Sequence, residues 1–401
     1  MCVGGVALRR PALAFLLLTF AAGAQTKVPE SPKVQAARRL LAQGKTDQAA
    51  STLAEAIHAN PSDGPAQLLL GEMLNDDDRY GDAMEPLAAA VRLLPSSAEA
   101  HNALGEALSN LNALEPARTE FEKAVQLDPA MAEAHLNLGM VLAETENLKP
   151  AAEHLDFAIS KLGATPEAAR AHYLRAKVYT DLGQVDRARS ELQTAVKIAP
   201  EFHEAWSDLG EARKSLLDDA GALAAFERAA ALSPSDPVTL TRLGNELYEQ
   251  GKFKRAIPYL EKADQANPKD QTTLNTLQAA LRADGQIERA NQVKARLIAV
   301  LQQRDKTTQD QLNAARLNEE GAKLDHAGDL RGALEKYRLA LALDPDHIGI
   351  RVNLAIALLR LGQWKEGLSQ LSEAMRRRPG DPILKAAWDD AIRQAPPGSW
   401  P

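Results

Sequence analysis

Eight alanines stand in two runs at 34-residue intervals: Ala49, Ala83, Ala117 and Ala151, then Ala188, Ala222, Ala256 and Ala290. A fixed interval of this length marks a solenoid, in which each unit is too small to bury its own apolar face and does so by stacking on its neighbours. With the first 34-residue window opened at Glu30, the alanine occupies slot 20 throughout 30–165 and, after a three-residue slip, throughout 169–304; two further windows span 314–381.

Other slots keep the same register. Slot 8 is small in nine of ten windows (Ala37, Gly71, Gly105, Gly139, Ala176, Gly210, Gly244, Gly321, Ala355), and slot 32 is proline in eight, Pro61 through Pro379. Between slots 4 and 13 the apolar residues have helical spacing, as in Leu104, Leu108 and Leu111, which predicts a helix A. Glycine at slot 15 (Gly44, Gly183, Gly251, Gly285, Gly328, Gly362) supplies the left-handed residue that ends it. A second amphipathic pattern over slots 18–30, such as Ala117, Phe121, Ala124 and Leu127, predicts a helix B that the following proline stops. Small residues at slots 8 and 20 let the two helices approach closely, and the bulky slot 24 fills the space beside them.

Small residues at slots 8, 20 and 27, large ones at 7, 11 and 24, proline at 32 and an aromatic Trp206 at slot 4 together resemble the tetratricopeptide repeat family, over 340 of the 401 residues. The resemblance implies an all-α fold, an α-solenoid of helix-turn-helix repeats forming a right-handed superhelix. It also implies a partner-binding concave face lined by the A helices. With 45% hydrophobic but only 4% aromatic residues, the composition suits small-residue helix packing without large aromatic anchors.

The expected organisation is a signal peptide over 1–24, a disordered lead over 25–29, units one to four over 30–165 and units five to eight over 169–304. A spacer over 305–313, units nine and ten over 314–381, a capping helix over 382–394 and a disordered tail over 395–401 complete it. Unit eight is degenerate: Gln278, Lys294 and Leu297 replace the usual residues at slots 8, 24 and 27, and no proline ends it. Without that stop its helix B is free to run on through Gln302, with the polar stretch Gln303–Gln311 leading into unit nine. A final helix carrying Trp388 covers the exposed face that a solenoid end otherwise presents.

Arg9 and Arg10 precede the apolar run Ala12–Ala22, and Ala22-Gly23-Ala24 has the small-x-small form of a signal-peptidase site. Export to a bacterial periplasm or cell envelope is the expected destination, with secretion, or tethering by an uncleaved signal, as alternatives. The apolar run is shorter than the ~20 residues a membrane span needs. Loss of the segment removes two arginines and moves the net charge from −7 to −9, which argues against general nucleic-acid binding. Arg376-Arg377-Arg378 sits where cations complement a helix C-terminus, and Asp76-Asp77-Asp78 lies in a turn without the further ligands of a calcium loop.

The sequence holds no phosphate-binding glycine loop, no zinc-type cysteine pair and no His-Glu-x-x-His run. His101, His135 and His172 fall at slot 4 of successive units, two helix layers apart, too far to share one ion. No catalytic, cofactor or metal site is therefore expected, and a non-enzymatic scaffold is. The A-helix contact slots 2, 5, 9 and 12 follow from the family resemblance. Their most ligand-like stretch is the apolar step Leu136, Met140 and Tyr173 beside Asn102 and Lys177, with Asn245 further along, because a bound segment needs a desolvated anchor and polar groups to fix its backbone. The alternative for the step is packing between A helices. Slot 5 offers no lysine, so the family's carboxylate clamp is absent, and slot 6 offers only Asn137 and Asn353, so an asparagine ladder is incomplete. The expected function is capture of a protein or peptide partner in the groove; the alternative is a structural part of an envelope or export complex that works through its convex face and ends.

Overall fold

A computed structural model of the chain describes residues 30–378, 380–396 and 398. The expected signal peptide over 1–24, the expected lead over 25–29, and tail residues 397 and 399–401 lie outside the described residues. Among the described residues there are twenty helices and no strand, an all-α solenoid of repeats. The chain divides into two compact units, one ending at Gln250 and the other beginning at Gly251.

In the first compact unit, helices alternate as A and B: α1 (Pro32–Ala42), α2 (Thr46–Ala59), α3 (Gly64–Asp76), α4 (Tyr80–Leu93), α5 (Ala98–Asn110), α6 (Leu114–Leu127), α7 (Ala132–Glu144), α8 (Leu148–Leu162), α9 (Pro166–Asp181), α10 (Val185–Ile198), α11 (His203–Ser215), α12 (Asp219–Leu232) and α13 (Pro237–Glu249). Five of the seven A helices begin on side-chain caps: the oxygens of Ser31, Asp63, Ser97, Thr165 and Asp236 accept from the backbone N–H three residues on, meeting donors that a helix start leaves unpaired, while α7 and α11 start at Met131 and Phe202 without one. The A-to-B turn passes through the left-handed region at slot 15. Gly44 and Gly183 take it without steric cost, but Asp78, Asn112, Glu146 and Leu217 also adopt it. Leu217, at φ 62° and 88% exposed, carries that strain with no packing in return.

The alanines that set the register are buried from Ala49 through Ala290. Opposite each slot-8 glycine lies the bulky slot 24 of the same repeat. A Cβ placed on Gly105 would stand 2.7 Å from Phe121, which is completely enclosed, and a Cβ on Gly139 would stand 2.8 Å from Leu155. Each joint is thus a knob in a hole whose floor is backbone.

The second compact unit comprises α14 (Phe253–Ala266), α15 (Gln271–Ala283), α16 (Ile287–His326), α17 (Leu330–Leu343), α18 (Ile348–Arg360), α19 (Trp364–Arg377) and α20 (Pro382–Gln394). Its outlier is α16, 40 residues long, which carries helix B of repeat eight and helix A of repeat nine as one rod. Its first part buries Ala290, Val293 and Leu297, its last part Ala314 and Gly321. Residues 302–309 between them are exposed on every side. The polar stretch over 305–313 is therefore helical rather than a loop. At the far end α20 packs Ala387, Trp388, Ala391 and Ile392 onto Leu368 and Leu371 of α19.

Candidate partner-binding surface

Slot 4 ties several repeats to the one before. The Nε2 of His101 lies 3.3 Å from the Pro95 carbonyl, that of His135 lies 3.2 Å from the Pro129 carbonyl, and the Trp206 indole N–H donates to the Pro200 carbonyl at 3.0 Å. These contacts satisfy carbonyls at the ends of B helices, where no intrahelical donor remains. On its other side the same ring meets slot 23 of its own B helix: His101 Nδ1 faces Glu120 and His172 Nδ1 faces Glu191, both at 2.6 Å. The burial of Glu191 is outweighed by hydrogen bonds from His172 and Arg175, which hold its carboxyl below the ordinary carboxylate range.

Repeat four departs from this scheme. His135 Nδ1 meets a second histidine, His154 Nδ1, at 2.9 Å, and Phe157 stacks on the His135 ring at 4.0 Å. Burial and the neighbouring ring push His135 down, and burial pushes His154 down. The three slot-4 histidines are each engaged in a separate joint and do not converge.

Slots 5 and 6 stitch successive A helices together. Asn137 Nδ2 donates to Asn102 Oδ1 at 3.1 Å, and Asn353 repeats the bond to Asn318 at 3.0 Å. In repeat seven Arg242 takes the donor's place, reaching Ser207 Oγ at 2.8 Å and Asp208 Oδ1 at 2.7 Å. This exchange decides where the candidate residues fall. Asn102 and Leu136 are buried in the joints between A helices, Leu136 in a cluster with Leu138 and Ala171. Met140 is half-buried, and its sulfur receives Arg170 Nη2 at 3.2 Å. Tyr173 is half-buried against Phe202, ring centroids 4.9 Å apart; burial, reinforced by its hydrogen bond to Asp208, pushes its hydroxyl pKa upward. Lys177 is exposed, its Nζ 6.0 Å from the centre of the Tyr173 ring. Asn245 is half-buried and its Oδ1 has no hydrogen-bond partner. The surface therefore brings Tyr173 and Lys177 together and sets Asn245 apart from them.

Two features escaped the sequence reading. Arg242 occupies slot 6, where an arginine reaches the preceding A helix as the asparagines do. The other is Glu72, at slot 9 of repeat two. Burial pushes its carboxyl up to about 7; Arg38 opposes this, while Glu133, Asp76 and Glu99 reinforce it. The A-helix side of repeats two to four thus gathers carboxylates from three units around one half-buried glutamate. Writing the charges at slots 2, 9 and 13 side by side would have revealed it.

Family models described as tetratricopeptide repeat match residues 34–98, 98–131, 151–201, 173–237, 238–270 and 326–387. The chain belongs to the tetratricopeptide repeat family. It is built as a protein-interaction scaffold, and the family's members are generally non-catalytic. Among solved structures it is similar to PilF of Pseudomonas aeruginosa, with a TM-score of 0.49 at 19% identity over 53% of this chain and 95% of that one. It is also similar to YrrB, described as a TPR protein with an unusual peptide-binding site, with a TM-score of 0.39 at 23% identity over 47% and 96%. A tetratricopeptide repeat protein from Parabacteroides merdae gives a TM-score of 0.47 at 15% identity over 62% and 97%. No curated protein matches the chain.

Proposed function

We propose that the chain is a non-catalytic scaffold that takes a segment of a protein partner along the A helices of its first compact unit, and that the segment presents a lysine or arginine to repeats two to four. What supports this reading is the setting of Glu72: it is half-buried, burial pushes its carboxyl up to about 7, Arg38 opposes that, and Glu133, Asp76 and Glu99 add like charge. A cation brought by a ligand relieves both the burial penalty and the repulsion, which an acidic or neutral segment does not. The orphaned Asn245 Oδ1 adds an acceptor that a backbone N–H of a bound segment would meet. Met140, Tyr173 and Lys177 lie between these two ends of the unit in sequence and supply an anchor of mixed character.

The test is binding of fluorescent lysine-rich and glutamate-rich peptides to the full chain and to Glu72→Gln. Preference for the basic peptide, weakened by salt and reduced about tenfold by the substitution, supports the reading; equal binding of both peptides, or indifference to the substitution, overturns it. Leu136 is unsuitable as a probe because its replacement would disturb a joint. Met140→Ala and Lys177→Ala serve instead.

We further propose export, on the strength of the segment Arg9–Ala24. No helix among the described residues is long and apolar enough to cross a membrane. Cell fractionation of the tagged chain checks it: accumulation of a shortened form outside the cytoplasm supports export, and an uncut chain inside the cell contradicts it.

A further inference from the structure

The rod α16 carries three large exposed apolar side chains, Ile287 (51% exposed), Ile298 (43%) and Leu312 (61%). At 100° per residue they lie within about 40° of one another around the helix axis. Three exposed apolar residues on one stripe of one helix form a seam, and alternating steps of four and three residues run unbroken along it: Ile287, Asn291, Lys294, Ile298, Leu301, Asp305, Thr308, Leu312. That is the spacing at which one helix meets another. The face that packs within this chain, Ala290, Val293 and Leu297, is a different one, turned by roughly a quarter of the circumference.

We infer that this seam is the contact surface for a second copy of the chain, paired antiparallel about a two-fold axis between Ala299 and Val300. The residues along the stripe select that partner. In this register Ile287 meets Leu312 of the other copy, Ile298 meets Leu301, Lys294 meets Asp305, and Asn291 meets Thr308. Apolar faces apolar, cation faces anion and amide faces hydroxyl, and each pairing occurs twice by symmetry. Sliding one helix by a heptad sets Ile287 against Asp305 or against Glu319, and a parallel in-register pair sets Lys294 on Lys294 and Asp305 on Asp305. Of these arrangements the antiparallel register centred at 299/300 satisfies every position, so the sequence of the stripe is complementary to itself. The overlap covers residues 287–312, roughly 39 Å of helix.

The test is sedimentation velocity of the full chain over rising concentration, with Leu312→Asp, Lys294→Asp and the double variant Lys294→Asp/Asp305→Lys. All three positions are exposed, so circular dichroism should show the wild-type helix content. The expected results are a concentration-dependent dimer, its loss in Leu312→Asp, at least about tenfold weakening in Lys294→Asp, and recovery in the double variant. A monomer at every concentration, or a dimer that ignores Leu312→Asp, overturns the proposal; failure of the double variant to recover overturns the register.

Discussion

Repeats three to five and the rod α16 are written in the same 34-residue language and spend it differently. Between α5 and α10 each A helix ends after three or four turns, folds back through a left-handed residue, and buries a small residue, Gly105, Gly139 or Ala176, the two glycines lying against a bulky side chain of their own B helix. Every face that could receive a neighbouring repeat does so. In α16 the turn between repeats eight and nine is missing, the slot-8 position of the preceding α15 is Gln278 rather than glycine, and the middle of the rod over 302–309 is exposed among the described residues. Stacking consumes surface, and the place where stacking stops is the place where an apolar stripe is left over.

The largest expected difference between the two regions is in their tolerance of truncation. Phe121→Ala removes a fully enclosed ring from the Gly105 joint and should cost about 3–5 kcal/mol, read as a fall in the denaturation midpoint. Thr308→Ala, in the exposed middle of α16, should change stability by less than about 0.5 kcal/mol. Comparable effects at both positions would break the contrast.

A sharper division lies inside the stacked region, where repeat four holds His135 against His154 while repeats three and five hold histidine against glutamate. Both members of the histidine pair are held below their ordinary 6.5 in the folded chain. The unfolded chain therefore takes up protons first as the pH falls. Stability is complete above about 6.5 and declines as the pH drops from there through the lower folded values. The charges around the pair are Glu153, Glu122 and Asp128, and they limit the loss without abolishing it. His154→Glu gives repeat four the pairing of its neighbours and should flatten the fall in melting temperature between pH 7.5 and 5. An unchanged slope would show that the histidine pair does not govern it.

The smallest effect concerns turns. Leu217 occupies a left-handed position that glycine fills in Gly183 and Gly251. Leu217→Gly relieves the steric cost but loosens the unfolded chain, for a net gain of up to about 1 kcal/mol by chemical denaturation. A loss would mean that the exposed leucine has contacts that offset its strain.

The fold was legible because its determinants are local. Alanine at slot 20, a small residue at slot 8 and the side-chain caps before most A helices act within one repeat, and a 34-residue window contains all of them. The surface was less legible because its determinants cross windows. Whether slot 5 faces a ligand or a neighbour depends on what slot 6 of the next repeat supplies, some 35 residues away: Asn137 draws Asn102 inward, and Arg242 draws Ser207 and Asp208. Leu136 looked like an anchor for the same reason and is buried instead. The missing proline after repeat eight correctly signalled a helix without a stop. What periodicity could not reveal was that Gln303–Gln311 continues it, since nothing apolar marks that stretch. Its glutamine, arginine and lysine residues favour helix without a buried face.

If surface left unspent by stacking is the surface used for recognition, α16 shows it most directly. With Cys2 replaced and a nitroxide attached to the thiol of Thr307→Cys, on the side of the rod away from the stripe, pulsed electron resonance reads the distance between copies. The antiparallel register predicts one narrow distance of roughly 30–40 Å from the rise and spacing of paired helices, lost in Leu312→Asp. No distance at dimer-forming concentration, or a broad one that survives Leu312→Asp, would contradict it.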